Sequence, residues 1–156
     1  DIHGDKMAIE AIWRAKEEVG ASSLFSLGDL CPDPGDPVWR GITGVRGNMD
    51  RWYQYGDLPF PPRERSFFWE GRTVYAFHGN EIPSFSPEKG DIVMSGHTHI
   101  PSFRNKDGVF YVNPGSASQP RTSLPPSFAL LSAECFTLFS LLDLSIISRR
   151  SFSSSQ

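Results

Sequence analysis

Cysteine is scarce in this chain of 156 residues. There are two, Cys31 and Cys135, far apart and without the close spacing of a thiolate metal site. That excludes a cysteine-built metal centre and predicts free thiols in a reducing, cytoplasmic setting, with a single disulfide as the other option. Basic charge is also in short supply. Fifteen Lys and Arg stand against eighteen Asp and Glu, for a formal charge of -3 and a pI near 5.8. The chain therefore offers no positive field for long nucleic acid, and a nuclease acting on long DNA is disfavoured. A compact anion could still bind through a local metal charge. Finally, no long hydrophobic run is unbroken. The most apolar stretch, Phe128 to Ile147, is interrupted by Glu134 and Asp143, and a charge near a helix centre costs about 3 kcal/mol on insertion scales. Paired strands, not a membrane span, are expected there.

The apolar and charged fractions, 38% and 21%, are those of an ordinary globular protein, and the length suits one domain. Residues 5–19 read as an amphipathic helix, capped by Asp5 and stopped by Gly20, with Met7, Ala8, Ala11, Ile12, Ala15 and Val19 at helical spacing. Ser23–Leu27 and Gly41–Val45 read as short buried strands, with any helix between them confined to Pro37–Arg40. Beyond residue 65 the pattern becomes one of hairpins: Arg65–Glu70 with Arg72–Phe77, Ser102–Arg104 with Val109–Asn113, and Phe128–Ser132 with Phe136–Leu142. Asp91–Ser95 is an apolar strand between them, and Ser145–Phe152 a final one. Residues 1–150 are expected to form a single domain, and the Ser-rich residues 151–156 a frayed tail. Helices and parallel strands first, hairpins later, predict an α/β fold: a two-sheet β-sandwich flanked by helices.

All four histidines sit in short motifs at the ends of strand-like runs. His3 lies in Asp1-Ile2-His3-Gly4, His78 in Phe77-His78-Gly79, and His97 and His99 in Gly96-His97-Thr98-His99. Asp29 follows Gly28, and Asn48 stands in Arg46-Gly47-Asn48-Met49-Asp50. Singly, each has a plain reading: a surface histidine, an Asx turn, a turn asparagine. Jointly they form a set of imidazole, carboxylate and amide donors without thiolate, suited to Mn, Fe, Zn, Ni or Co. Parallel α/β sheets carry such sites at the C-terminal ends of their strands. One carboxylate bridging two ions would hold them about 3.5–4 Å apart, lower the pKa of a bound water to about 7 and clamp phosphate oxygens. Asp1 opens the chain with no buried strand before it, so a strand preceding it in a longer chain is expected. A first ligand on a free amino terminus would be weak.

The ordered series Asp-x-His, Gly-Asp, Gly-Asn-x-Asp, His-Gly, Gly-His-x-His resembles the calcineurin-like metallophosphoesterases. The run Asn113-Pro114-Gly115-Ser116-Ala117-Ser118 makes it similar to their small bacterial and archaeal phosphodiesterase branch. The resemblance extends from Asp1 to about Arg150. It implies a dinuclear centre with Asp1, His3, Asp29 and His99 around one metal, and Asp29, Asn48, His78 and His97 around the other, Asp29 bridging. It casts Asn48 and His97 as catalytic and lets Arg46 reach a phosphate oxygen, with a solvated or salt-bridged arginine as the plain alternative. The Asn-Pro-Gly-Ser loop either shapes the site floor or is a tight turn.

Three departures stand out. Met49 occupies the place where many relatives carry a histidine, and a thioether donates no proton; this tilts the reading towards phosphodiesters. Asn80 stands where another histidine is frequent, and the stretch between Asp29 and Asn48 is short. Asp50 either orients a neighbouring ligand or ends a turn. The expected function is a phosphoesterase using two divalent ions, Mn favoured, in which metal-bound hydroxide attacks a small phosphodiester or phosphomonoester. A scaffold for protein interaction, as in the retromer subunit of the same family, is the alternative. The aromatics Trp39, Trp52, Tyr53, Tyr55 and Phe60 would then form an interaction patch; a substrate rim or a homo-oligomer contact would use them equally well.

Overall fold

The computed structural model describes residues 1–153. Helix α1, Lys6–Val19, begins where Asp5 accepts a hydrogen bond from the Ala8 N–H at 3.0 Å and ends at Gly20, whose φ of 73° is the left-handed cap that glycine adopts without strain. Its inner face is Ala8, Ile9, Ile12 and Ala15. Met7, which the helical spacing places with the core, is 82% exposed, because Ile9 and the alanines define a narrower stripe one position on.

Strands β1 (Phe25–Ser26) and β2 (Thr43–Gly44) pair in parallel, with a single 3₁₀ turn, Pro37–Trp39, between them. A four-residue helix α2, Trp52–Tyr55, follows, which the sequence gives no periodic signal for. Five strands then build a mixed sheet: β3 (Glu64–Trp69), β4 (Arg72–Phe77), β5 (Ile92–Met94), β6 (Ser102–Lys106) and β7 (Val109–Asn113), in the order β3-β4-β5-β7-β6. The β3–β4 and β6–β7 pairs are antiparallel hairpins, while β4, β5 and β7 run parallel. The second hairpin is longer than expected: β6 continues through Asn105 and Lys106 to a two-residue Asp107–Gly108 turn, both residues at positive φ, the twist that tight hairpins favour. Strands β8 (Ser127–Leu131), β9 (Cys135–Ser140) and β10 (Ile146–Ser151) form an antiparallel sheet of order β10-β9-β8.

The two sheets pack face to face. Val74, Ala76, Ile92, Met94, Phe110 and Val112 of the mixed sheet meet Phe136 and Leu138 of β9, as the two-residue period of strands requires. Phe152 joins this core at 4% exposure. The frayed tail expected from residue 151 is therefore corrected: Ser151 closes β10 and Phe152 is held by its buried ring, while residues 154–156 of that expectation lie outside the described residues. A second cluster joins α1 to Ile2, Leu30, Trp39 and Ala117. Among the described residues no helix is long and apolar enough to cross a membrane; the Phe128–Ile147 run makes β8, β9 and the start of β10. Strands β1 and β8 each leave one edge unpaired among the described residues, and both line, with Asp1, an apolar cleft of about 610 Å³.

Candidate metal centre

The parallel strands end together. Past β1 comes Leu27-Gly28-Asp29, past β2 Val45-Arg46-Gly47-Asn48, past β4 His78, and past β5 Ser95-Gly96-His97. Six of the expected donors meet there. Asp1 Oδ1 lies 3.5 Å from His99 Nε2, 3.6 Å from His3 Nε2 and 3.9 Å from His78 Nε2. Asp29 Oδ2 lies 3.2 Å from His78 Nε2 and 3.8 Å from His3 Nε2. His3 and His99 bring their Nε2 atoms within 3.2 Å, and His97 Nδ1 is 3.3 Å from His78 Nε2. Two overlapping triads, Asp1–His3–His99 and Asp1–Asp29–His78, are tight enough to hold a metal ion. Asp1 is common to both triads, and Asp29 faces one histidine of each. Asp1 and Asp29 thus each reach imidazoles of both triads.

The backbone is strained to achieve this. His3, Asp29, His97 and His99 have φ of 54°, 55°, 67° and 62°, left-handed values that cost a non-glycine residue roughly 1–2 kcal/mol each. Gly47 is demanded by crowding, since a Cβ there would overlap the Asp29 carboxylate. Around this strain runs a frame of hydrogen bonds. Asp50 is its hub: Oδ2 accepts from the N–H groups of Asp29 (2.9 Å) and Gly47 (2.8 Å), and Oδ1 from Cys31 N–H (2.9 Å) and Tyr55 Oη (2.8 Å). It both orients the Asp29 loop and closes the 47–50 turn. Asn113 donates to Gly96 O at 2.9 Å and Ser116 to Asp1 O at 3.0 Å. The Asn-Pro-Gly-Ser loop therefore fastens the first and last donor motifs together and is more than a turn.

The protonation pattern suits a cation. His78 Nδ1 and His99 Nδ1 each face a carbonyl, Leu27 O and Gln119 O, both at 2.7 Å. A carbonyl only accepts, so both Nδ1 atoms carry hydrogen and both Nε2 lone pairs point into the cluster. Burial lowers the pKa of His3, His97 and His99 from the ordinary 6.5, keeping them neutral. Burial pushes the Asp29 carboxyl up, but bonds from His78 and from the Met49 N–H outweigh it and hold it below its usual range. Asp1 Oδ1 is buried with no hydrogen-bond partner. An orphaned carboxylate oxygen ringed by three imidazole nitrogens is stable only with a positive charge among them, and that is the observation that fits a divalent ion here. Burial, with the charges of Asp50 and Asp29, pushes the Cys31 thiol up to about 12, so it is no thiolate ligand; both cysteines are free.

Asn48 and Arg46 line the cavity that opens beside His78. The cluster of short donor contacts does not include them. Trp39 and Tyr55, expected in an exposed patch, are 3% and 4% exposed: the first packs under α1 and the second is drawn in by Asp50. The Gln119 carbonyl has no mark in the sequence, whereas Asn113 and Ser116 stand in the loop read there as either the site floor or a tight turn.

A family model of the calcineurin-like phosphoesterase superfamily domain matches residues 1–135. Phosphodiesterase YfcE of Escherichia coli K12 is 29% identical over 174 aligned residues, covering 96% of this chain and 93% of its own. Its solved structure superposes with a TM-score of 0.85 at 25% identity, over 98% and 96% of the two chains. A "Probable metallophosphoesterase" of Methanothermobacter thermautotrophicus is 34% identical over 131 residues, 78% of this chain and 69% of that one. The fold also matches Vps29 of Entamoeba histolytica complexed with zinc, with a TM-score of 0.62 at 19% identity over 91% and 89% of the chains. On its sequence and its fold, the chain belongs to the calcineurin-like phosphoesterase superfamily of metal-dependent phosphoester hydrolases.

Proposed function

We propose that the chain is a two-metal phosphodiesterase, with residues 1–150 working as one domain. Asp1, His3, His99 and Asp29 would hold one ion, and Asp29, His78, His97 and Asn48 the other. Manganese is favoured, and Fe, Zn, Ni or Co suit the same donors. The orphaned Asp1 Oδ1, within 3.9 Å of three imidazoles, carries this reading. When bound, such a pair supplies hydroxide at neutral pH and neutralises charge on the phosphate. The chain's own residues do the rest. The Leu27 and Gln119 carbonyls fix the tautomers of His78 and His99, Asp50 holds the Asp29 loop, and Arg46 offers a cation to a non-bridging oxygen. Met49, 48% exposed, presents no proton to a leaving group, which favours esters whose alcohol departs without an acid. Two free thiols agree with a cytoplasmic setting.

The test is hydrolysis of bis-p-nitrophenyl phosphate against p-nitrophenyl phosphate on protein stripped of metal and reloaded with manganese. Faster diester turnover that vanishes with chelator is expected. No turnover of either compound with two ions bound would leave the interaction scaffold, to which the likeness in fold to Vps29 points, as the better reading.

A further inference from the structure

Beside the donor cluster lies a cavity of about 850 Å³, with Asn48 and His78 among its lining residues. That is the size of a cleft for a whole small molecule, far more than one phosphate fills. Its charged groups are nearly all engaged. Glu64 accepts from the Ser84 N–H and hydroxyl, Glu81 pairs with Arg63, and Asp50 is saturated by the donors described above. Arg51 donates to the carbonyls of Asn48 and Asp50. Arg46 differs. Its guanidinium carbon lies 4.8 Å over the Phe60 ring, its Nε is buried with no hydrogen-bond partner, and it has no ion pair among the described residues. A guanidinium held by an aromatic face, whose terminal nitrogens have no hydrogen bond or ion pair among the described residues, is set for an anion that the cavity admits. The same cavity is lined by Trp52, the first residue of α2, 74% exposed and met among the rings of the described residues only edge-on, by Tyr53.

Building on the phosphodiesterase reading, we propose that this cavity selects phosphodiesters with a planar aromatic arm: Arg46 takes a non-bridging phosphate oxygen while the retained arm stacks on the Trp52 indole. Stacking on an exposed indole favours a flat ring over an alkyl group of the same charge. The substrate class is then an aryl or nucleoside diester, and Trp52 is a specificity-determining residue.

The test compares bis-p-nitrophenyl phosphate with methyl p-nitrophenyl phosphate on the manganese-loaded protein. Both release p-nitrophenolate and differ in the arm that stays. Trp52→Ala should lower the ratio of their kcat/KM values about tenfold, chiefly through KM of the aryl diester, and Trp52→Phe should restore most of it. Arg46→Met should depress both substrates together. Calorimetric binding of the inhibitors diphenyl phosphate and dimethyl phosphate gives the same comparison without turnover, the wild type preferring the diphenyl ester and Trp52→Ala losing the preference. An active wild type whose ratio and inhibitor preference survive in Trp52→Ala overturns this inference alone. A metal-loaded wild type without turnover overturns the phosphodiesterase reading and this inference with it.

Discussion

The space between the sheets and the cluster at the strand ends are made from the same few strands, a few residues apart, yet they obey opposite rules. Ile92 and Met94 of β5 are buried among Val74, Val112 and Leu138, in relaxed extended backbone, and they need nothing from outside. Three residues further along the chain His97 adopts a positive φ, sits against another imidazole, and shares Asp1 with two more motifs. The core lowers the free energy of the chain alone. The cluster raises it, through left-handed backbone and unpaired buried oxygen, and is complete only with cations. The difference teaches that the stable sandwich holds an unstable site, and each half should fail in its own way.

Substitution of Asp29 by alanine should break the site outright. With its carboxylate gone, kcat/KM for a diester should fall by about 10³-fold or more, while the sandwich still folds; a circular dichroism spectrum and a steady-state assay on reloaded protein check both halves. Ile92→Ala should do the reverse. It removes a fully buried side chain from the inter-sheet core, a loss of about 2–5 kcal/mol in urea unfolding, with the metal content per folded chain unchanged. Asp50→Ala sharpens the boundary, since Asp50 ties the site loops to the buried Tyr55 through four accepted hydrogen bonds. It leaves the Asp29, Gly47 and Cys31 N–H groups and the Tyr55 hydroxyl without their acceptor, about 1–3 kcal/mol of stability for each group that stays buried, and should weaken metal affinity about 10–100-fold by freeing the Asp29 loop. Calorimetric titration and urea unfolding measure the two effects.

Smallest is the effect of pH on the metal-free protein. His3, His97 and His99 have folded pKa values below the ordinary 6.5 because burial disfavours their charged form. The unfolded chain therefore binds protons first as pH falls. Stability should be intact above about pH 6.5 and decline as pH drops through the folded values. Asp29, lowered by its partners from 3.8, adds a further decline below that value, with the same sign. Unfolding midpoints measured from pH 7.5 to 4 should slope in this direction only.

The parts legible in the sequence are those with local causes. The Glu70-Gly71 and Asp107-Gly108 hairpins announce themselves through Gly71, Asp107 and Gly108, which tolerate positive φ, and α1 through its cap, its stripe and Gly20. The donors were legible because their chemistry resides in their own side chains. What escaped depends on atoms distant in sequence. Gln119 acts on His99 through a backbone carbonyl, an atom every residue has, and Asp50 fixes a loop 21 positions earlier. The burial of Tyr55 follows from Asp50, and α2 is a single turn with no room for a period. The left-handed backbone at His3, Asp29, His97 and His99 is imposed by the meeting of motifs, at residue types that tolerate it better than most but do not demand it.

The most direct measurement is calorimetric titration of manganese into the stripped protein. Two ions per chain are predicted, with Asp29→Ala losing both or retaining one at much weaker affinity. One ion or none in the wild type, or two bound undiminished without Asp29, would contradict a site in which that carboxylate spans the pair.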